Sequence, residues 1–314
     1  MGRPLRIEYP GAFYHVTSRG NEQKDVFKSQ RDREKFLEYL ESATVRYGTS
    51  IHVYCLMSNH YHLLVETPEG NLSQIMRHIN GAYTNYFNVK RKRSGHLFQG
   101  RYKAILVEAD VYATELSRYI HLNPVRVGMV AKPEEYRWSS YQSYIGECKS
   151  PVWLKTDFIL CYFGKDTKVA GKEYHRFVTD LLEKEYTRPL ARSVAAAILG
   201  SSEFIEEIEE KYLLDREPDR NLPELRKVSR RLSLDEIIQA GKSYFDAEQT
   251  SDKAIIYLCH KYSGARLKEI GERFGVGESA VSQISKRIVQ KMNEDVEIKK
   301  MILALKKRLR IVNV

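Results

Sequence analysis

The stretch IHVYCLMSNHYHLLVE, residues 51–66, contains two runs of strand-forming residues that only Ser58 and Asn59 separate. A two-residue connection between such runs predicts a β-hairpin, although no glycine marks the turn. Because side chains alternate between the faces of a strand, His60 and His62 point to one face and Tyr61 points to the other. On spacing alone, such a pair of histidines is more often structural than metal-binding.

The segments on either side of this hairpin predict a sheet with helices packed on it. The run AFYHVTSRGN, residues 12–21, is typical of a strand that ends at a turn, and residues 32–47 have the amphipathic spacing of a helix. Residues 72–89 return to helical spacing, and residues 96–108 predict a strand pair or an extended arm. The fold class expected from these elements is α+β.

A short helix is predicted over residues 111–123, because Pro124 disfavours helical geometry in the residue before it. Tyr119 and Asn123 are four residues apart and therefore share one face of this helix. Tyr119 could reach a substrate there, and the carboxamide oxygen of Asn123 could join the two histidines as a metal ligand. The structural alternatives are a core aromatic at Tyr119 and a helix C-cap at Asn123.

A basic segment, KRKRSGHLFQGRYK at residues 90–103, contains six basic residues and no acidic one. The six are Lys90, Arg91, Lys92, Arg93, Arg101 and Lys103. Basic side chains neutralise phosphates, and the interleaved His96, Phe98 and Tyr102 could stack on unpaired bases. We therefore predict a contact with single-stranded DNA, the alternative being a solvated basic loop.

Strand signals fade after residue 150, and the rest of the chain is predicted to be helical. The runs SVAAAILG (193–200) and SSEFIEEIEEKYLL (201–214) predict helices, and the polar, proline-containing DREPDRNLPE (215–224) predicts a linker. These signals divide the chain into an α+β domain at 1–150, a helical connector at 151–230 and a helical module at 231–314.

The last module contains two helical repeats of apolar residues separated by a glycine turn. The spacing of Leu267, Ile270 and Phe274 recurs at Val281, Ile284 and Ile288, after Gly275 and Gly277. This pattern predicts a helix-turn-helix, with an ordinary helical hairpin as the alternative. The second helix would present a polar stripe to the major groove of duplex DNA. The stripe consists of Ser279, Ser282, Gln283 and Lys286.

The composition, with 42% hydrophobic and 29% charged residues among 314, is that of a globular protein and excludes a disordered tail. A formal net charge of +10 predicts an acidic partner, nucleic acid before a membrane surface. With neither a secretory signal nor a run of about eighteen apolar residues, we expect a cytoplasmic, nucleoid-associated protein. The four scattered cysteines form no CxxC pair, which argues against a disulfide framework or a zinc knuckle.

Three motifs follow one another in the first 150 residues: GAFYHVTSRGN (11–21), SNHYHLLVETP (58–68) and RYIHLNPVRVGMV (118–130). In this order they resemble the REP-associated tyrosine transposases, which belong to the HUH superfamily of single-strand transposases. The resemblance implies a ferredoxin-like antiparallel sheet with helices. It also implies that His60, His62 and Asn123 bind Mg²⁺ or Mn²⁺ and that Tyr119 is the nucleophile. Tyr61 stands where the family has an aliphatic residue, which is a mild departure.

This resemblance implies that the chain cleaves and rejoins single-stranded DNA, often hairpins of palindromic repeats, through a 5′-phosphotyrosine link. A phenol is a weak nucleophile at neutral pH, so a metal is expected to polarise the target phosphate. Because the phosphotyrosine retains the energy of the phosphodiester, a second DNA hydroxyl can reverse it without ATP. Two alternatives stay open: a helix-turn-helix regulator with an inactive nuclease domain, and a metal-dependent hydrolase that needs no tyrosine.

The C-terminal module resembles the duplex-binding domain of the bacterial replication initiator DnaA, through EIGERFG and SAV in matching places. Val276, Gly277 and Glu278 replace the Arg-Asp-His triplet of that family, so the fold is expected to be shared and the DNA target to differ. The oligomeric state is left open between a monomer and a homodimer.

Overall fold

The computed structural model describes residues 7–182, 189–193, 197–212, 232–244, 249–263 and 265–309. Its described residues up to Ser201 form one compact unit, and those from Ser202 onward form a second. The predicted boundaries at residues 150 and 230 stay predictions, and the predicted linker at 215–224 lies outside the described residues. None of the described helices is long and apolar enough to span a bilayer.

The first unit is built on a five-stranded sheet with the order β2-β3-β1-β4-β5. The strands are Ala12–Arg19 (β1), Ser50–Leu56 (β2), His60–Thr67 (β3), Lys103–Val107 (β4) and Ile198–Leu199 (β5). The first four pair antiparallel, whereas β5 lies parallel to β4. With a helix after β1 and another after β3, this order is that of a ferredoxin-like fold, which confirms the predicted fold class.

Seven α-helices are described in the first unit and six in the second. The first unit contains Gln30–Tyr47 (α1), Leu72–Lys90 (α2), Ala109–His121 (α3), Asn123–Arg126 (α4), Tyr141–Tyr144 (α5), Asp157–Leu160 (α6) and Thr167–Thr179 (α7). The second contains Ser202–Tyr212 (α8), Leu234–Lys242 (α9), Gln249–Leu258 (α10), Leu267–Phe274 (α11), Glu278–Glu294 (α12) and Val296–Arg308 (α13).

The two faces of the sheet carry different helices, because side chains alternate along each strand. On one face, Tyr61 of β3 packs against Phe36 of α1, with ring centroids 4.8 Å apart, and donates a hydrogen bond to Asn80 of α2. The opposite face, with His60 and His62, is covered in part by α3. The structure therefore confirms that Tyr61 points to one face of the sheet and that His60 and His62 point to the other.

Strand β5 corrects the prediction of a helix for the end of the run 193–200, because Ile198 and Leu199 are buried in the sheet instead, while residues 194–196 lie outside the described residues. Leu106 donates a backbone hydrogen bond to the carbonyl of Ala197 at 2.8 Å, and the carboxylate of Glu108 accepts one from the Ser201 backbone at 2.6 Å. The gain from pairing with a distant strand outweighs the local helical preference of alanine.

A buried ion pair joins α1 to the C-terminal end of α2. Asp32 forms a capping box with Ser29 at the start of α1 and is fully buried. Its carboxylate accepts from the ammonium of Lys90 at 2.8 Å and from the guanidinium of Arg91 at 2.5 Å. Burial alone would raise the pKa of the Asp32 carboxyl, but the hydrogen bonds from Lys90 and Arg91 outweigh it and hold the pKa at about 2.

We expect Asp32→Asn to lower the free energy of unfolding by about 2 kcal/mol at neutral pH, since Lys90 and Arg91 lose their counter-charge. The folded-state pKa of about 2 lies below the ordinary value of 3.8, so the contribution is present above pH 3.8 and is lost as pH falls through 2. Urea unfolding at several pH values measures this, with Asp25→Asn, at an exposed carboxylate, as the control. Equal effects of the two substitutions at neutral pH would contradict the ion-pair interpretation.

The second unit has its core around α10, α11, α12 and α13, where Ile255, Ile270, Val281 and Ile302 are fully buried. Between α11 and α12 the chain turns back so tightly that Val276 donates a backbone hydrogen bond to the carbonyl of Gly271 at 2.9 Å. A Cβ on Gly271 would lie 2.4 Å from the carbonyl oxygen of Val276, so this turn requires glycine there.

Candidate active site

Three of the residues singled out from the sequence meet on the face of the sheet that α3 covers in part. The imidazoles of His60 and His62 have ring centroids 5.0 Å apart, at an interplanar angle of 75°. The ring of Tyr119, on α3, meets His62 edge-on at a centroid distance of 6.0 Å. His62 and Tyr119 are buried, whereas His60 is half-buried, so the group borders the surface.

A fourth residue of this group, His15, was not singled out by the sequence analysis. Thr17 of β1 lies opposite His62 of β3, so His15, two residues earlier, shares the same face. Its Nε2 lies 2.9 Å from Nδ1 of His62, and its ring is 6.3 Å from that of Tyr119. The only signal in the sequence is the alternation in AFYHVT, which does not say which strand β1 pairs with.

Burial keeps these imidazoles neutral, which is the state in which a ring nitrogen has a lone pair for a metal. Burial lowers the pKa of His15 to about 3. Burial, followed by the charge of Arg19, lowers the pKa of His60 to about 4. Burial, followed by the neighbouring histidines, lowers the pKa of His62 well below its ordinary value.

Asn123 lies just beyond α3, which ends two residues earlier than predicted, and it begins the short α4. Its side-chain nitrogen donates to the carbonyl of Tyr119 at 2.9 Å and, at a longer 3.5 Å, to that of Ile120. Asn123 therefore caps the carbonyls at the end of α3, as in the structural alternative. Because the nitrogen is committed to the helix, the oxygen is the atom of this carboxamide that remains for a ligand.

A buried hydrogen-bond network holds α3, and with it Tyr119, in place. His121 has Nδ1 2.7 Å from the hydroxyl of Tyr174 on α7 and Nε2 2.7 Å from the hydroxyl of Ser140. Tyr174 donates to Ser117 at 2.9 Å, and Ser140 accepts from the backbone of Tyr54 at 3.0 Å. The network joins α3 to α7 and β2, and buried polar groups satisfied in this way specify one arrangement.

The predicted basic segment divides into structural and accessible residues. Lys90 and Arg91 form the ion pair with Asp32, so a DNA contact by either stays a prediction beside that structural role. Lys92, Arg93, Arg101 and Lys103 are exposed. Lys103 lies opposite Thr17 on β1, and therefore on the face that carries His62.

The predicted stacking of Phe98 and Tyr102 on bases is wrong for this arrangement, because both side chains are buried. Phe98 packs against Tyr61, with ring centroids 5.9 Å apart, on the sheet face opposite the histidines. Of the three interleaved rings, His96 alone is exposed. From the sequence, Phe98 and Tyr102 could equally pack in the core or stack on bases, and only the fold distinguishes these two roles.

Two arginines of the third motif differ in their surroundings. The guanidinium of Arg118 forms an ion pair with Glu115 and donates to the carbonyl of Phe177 at 3.0 Å, which ties α3 to α7. The guanidinium of Arg126 lies over the ring of Tyr119, 5.1 Å from its centroid. A cation thus stands beside the candidate nucleophile, a feature that the sequence did not single out.

The predicted polar stripe lies on α12, where Ser279, Gln283 and Lys286 are exposed and Ser282 is half-buried. Val281 and Ile288 of the same helix are buried in the core of the second unit. The stripe is therefore on the accessible side of the second helix of the pair.

Two family models match parts of this chain, one within each unit. Residues 9–123 match the family described as transposase IS200 like. Residues 250–294 match sigma-70, region 4, which confirms the helix-turn-helix prediction through a family other than DnaA.

One solved structure that resembles the chain is a REP-associated tyrosine transposase bound to a REP hairpin. The two are 17% identical, and the similarity covers 50% of this chain and 93% of that one, with a TM-score of 0.42. A comparison with curated proteins found no match.

Proposed function

We propose that this chain is a metal-dependent tyrosine transposase that cleaves and rejoins single-stranded DNA, with Tyr119 as its nucleophile. The observation that carries the proposal is that Tyr119 meets His62, which in turn meets His60, on one face of the sheet at the border of the surface. The family match supports the transposase class for residues 9–123. The metal, the covalent intermediate and the hairpin substrate belong to the proposal.

The spacing of His60 and His62 fits one divalent cation, and we propose that Asn123 supplies the third protein ligand. Two imidazoles bound side by side to one ion at about 2.1 Å would have ring centres roughly 4.6 Å apart, close to the 5.0 Å of His60 and His62. The described residues contain no group of three or more His, Cys, Asp and Glu side chains arranged for a metal. We assign the third position to the oxygen of Asn123, because the nitrogen of its carboxamide donates to the carbonyls of Tyr119 and Ile120. Two nitrogen donors favour Mn²⁺ over the harder Mg²⁺.

The reaction that we propose exchanges one phosphodiester for another. The oxygen of Tyr119 forms a bond to phosphorus, and the bond from phosphorus to the 3′ oxygen of the neighbouring nucleotide breaks. The phenol loses its proton, and the departing 3′ oxygen gains one. A cation at His60, His62 and Asn123 would neutralise charge on the phosphate. The 5′-phosphotyrosine can then be attacked by another 3′ hydroxyl, which rejoins the strands.

The surroundings of Tyr119 support a polyanionic substrate. Arg126 lies over the tyrosine ring, and Lys103 is exposed on the same face of the sheet as His62. Arg19 lies opposite His60 in the pairing of β1 with β3. Three cations around a neutral histidine pair suit the backbone of a single strand, since phosphate contacts supply most of the affinity of DNA-binding proteins.

A covalent adduct tests the proposal directly. We expect full-length protein, incubated with end-labelled hairpin oligonucleotides and Mn²⁺, to carry label on a denaturing gel and to release a fragment with a 3′ hydroxyl. Cleavage without an adduct would indicate a hydrolase. Duplex binding with neither cleavage nor adduct would indicate the alternative function, a helix-turn-helix regulator.

For the second unit we propose that α12 enters the major groove of duplex DNA near the cleavage site. We expect Gln283→Ala to reduce discrimination among sequences by about 1–3 kcal/mol at one base pair, because an amide can pair with adenine through two hydrogen bonds. Lys286→Ala should weaken binding to all sequences and reduce the salt dependence by about one phosphate contact. Selection from a randomised duplex library, followed by salt titration, measures both.

The matched control for this experiment is Gln290→Ala, because Gln290 is exposed on the same helix beyond the stripe and donates to Glu294. It should leave sequence preference unchanged. If Gln283→Ala and Gln290→Ala behave alike, α12 does not read bases, and the second unit has another partner.

A further inference from the structure

We propose that Asn59 is a positioning residue that fixes which ring nitrogen of His60 carries the proton and directs the lone pair of Nε2 toward the candidate metal site. The assignment of the proton depends only on hydrogen bonds within the chain. Its use for metal binding rests on the proposed function.

The hydrogen bonds of Asn59 permit only one orientation of its carboxamide. One end of the side chain lies 3.1 Å from the carbonyl oxygen of Gln23, which can only accept, so this end is the NH₂ group. The other end, the oxygen, lies 2.7 Å from Nδ1 of His60. An amide oxygen cannot donate, so Nδ1 of His60 carries the proton. A neutral imidazole has one N–H, and Nε2 is therefore left with a lone pair.

The carbonyl of Gln23, which accepts the hydrogen bond from Asn59, belongs to a strained turn. Glu22 and Gln23 have φ values of 53° and 60°, a region that residues other than glycine seldom adopt. The preceding Gly20 packs so closely on the turn that a Cβ there would lie 2.0 Å from the carbonyl oxygen of Lys24. Strain of this kind persists where the surrounding contacts enforce it.

The turn is fastened directly to the hairpin connection that contains Asn59. The backbone of Gly20 donates to the carbonyl of Asn59 at 2.8 Å, and those of Val26 and Phe27 both donate to the carbonyl of Ser58 at 3.0 Å. The segment 20–27 therefore encloses the two-residue connection before His60. This segment sets the direction of the Gln23 carbonyl, and the side chain of Asn59 connects that carbonyl to the imidazole of His60.

His62 has no comparable constraint. Its Nδ1 faces Nε2 of His15, and either imidazole can donate or accept, so both tautomers of the pair satisfy that contact. Nδ1 of His15 is buried without a hydrogen-bond partner, so no hydrogen bond decides whether this nitrogen carries the proton either. Asn59 therefore specifies the tautomer of His60, whereas the contact with His15 does not specify that of His62. Partners that orient metal-binding imidazoles in this way commonly contribute 10-fold to 100-fold in metal affinity.

The tautomer of His60 can be measured without metal. In full-length protein with ¹⁵N-labelled histidine, long-range proton-nitrogen NMR spectra distinguish an N–H nitrogen from a bare one, and a His60→Gln variant assigns the signals. We expect His60 to carry its proton on Nδ1 in the native chain and in Asn59→Asp, which retains an acceptor oxygen. In Asn59→Ala, we expect a substantial Nε2–H population. An Nε2–H His60 in the native chain, or an unchanged tautomer in Asn59→Ala, would overturn the assignment.

Manganese binding, measured by calorimetry on the same proteins, tests the consequence. We expect Asn59→Ala to weaken Mn²⁺ binding by about 10-fold or more, and Asn59→Asp to keep it close to native. Asn80→Ala is the matched control, because it removes one hydrogen bond to the adjacent Tyr61 on the opposite face of the strand. It should leave both the His60 tautomer and Mn²⁺ affinity unchanged.

The two measurements separate failure of this inference from failure of the proposed function. If the native chain binds no Mn²⁺, the proposed metal site is wrong, while the NMR result still decides whether Asn59 sets the tautomer. If the native chain binds Mn²⁺ and Asn59→Ala binds it equally well, the positioning role is wrong and the metal site stands.

Discussion

Tyr119→Phe is expected to abolish the covalent DNA adduct and to reduce strand cleavage by at least about 10⁴-fold, since the substitution removes the attacking oxygen. The ring is buried and packs edge-on against His15 and His62, and phenylalanine retains these contacts. Folding, Mn²⁺ binding and DNA binding should therefore be preserved. Adduct formation on denaturing gels and single-turnover cleavage rates measure the effect.

The matched control for this prediction is Tyr112→Phe. Tyr112 lies on the same helix, about two turns earlier, and packs partly buried against the core. It is also the tyrosine best placed along α3 to substitute for Tyr119. Native cleavage in Tyr112→Phe together with loss in Tyr119→Phe would identify the nucleophile. A Tyr119→Phe protein that cuts at the native rate would instead point to attack by water and to a hydrolase.

His62→Ala is expected to reduce cleavage by about 10³-fold, because loss of a metal ligand removes several kcal/mol of charge stabilisation from the transition state. His62 is buried beside His15, so a modest loss of stability is also expected, and thermal unfolding should be recorded for each variant. Duplex binding, which we propose for the second unit, should not change. Calorimetric titration with Mn²⁺ then shows whether the lost activity follows lost metal binding.

A histidine on the other side of the sheet provides the control for His62→Ala. His78 lies on α2 and forms a hydrogen bond with Ser42 of α1, 3.1 Å away. We expect His78→Ala to retain cleavage and Mn²⁺ affinity, with at most a small loss of stability. Full cleavage by His62→Ala would remove this residue from the proposed metal site.

The sequence by itself determined the strand that carries His60 and His62, the helix that carries Tyr119 and the helix pair of the last module. Strand alternation put His60 and His62 on one face and Tyr61 on the other, and a four-residue spacing put Tyr119 and Asn123 together at the end of a helix. Both are local properties of the chain, since they follow from the periods of the strand and the helix. The buried apolar stripes on α11 and α12 were predictable for the same reason.

Only the tertiary structure decided which residues from distant parts of the chain meet. The pairing of β1 with β3 brings His15 to His62, and the packing of α2 on α1 uses Lys90 and Arg91 to neutralise Asp32. The pairing of β5 with β4 overrides a helical preference, and the strained turn at 20–27 reaches Asn59. No periodic pattern in the sequence predicts these contacts. Each depends on strand register and on the closure of long loops, which local propensity does not encode.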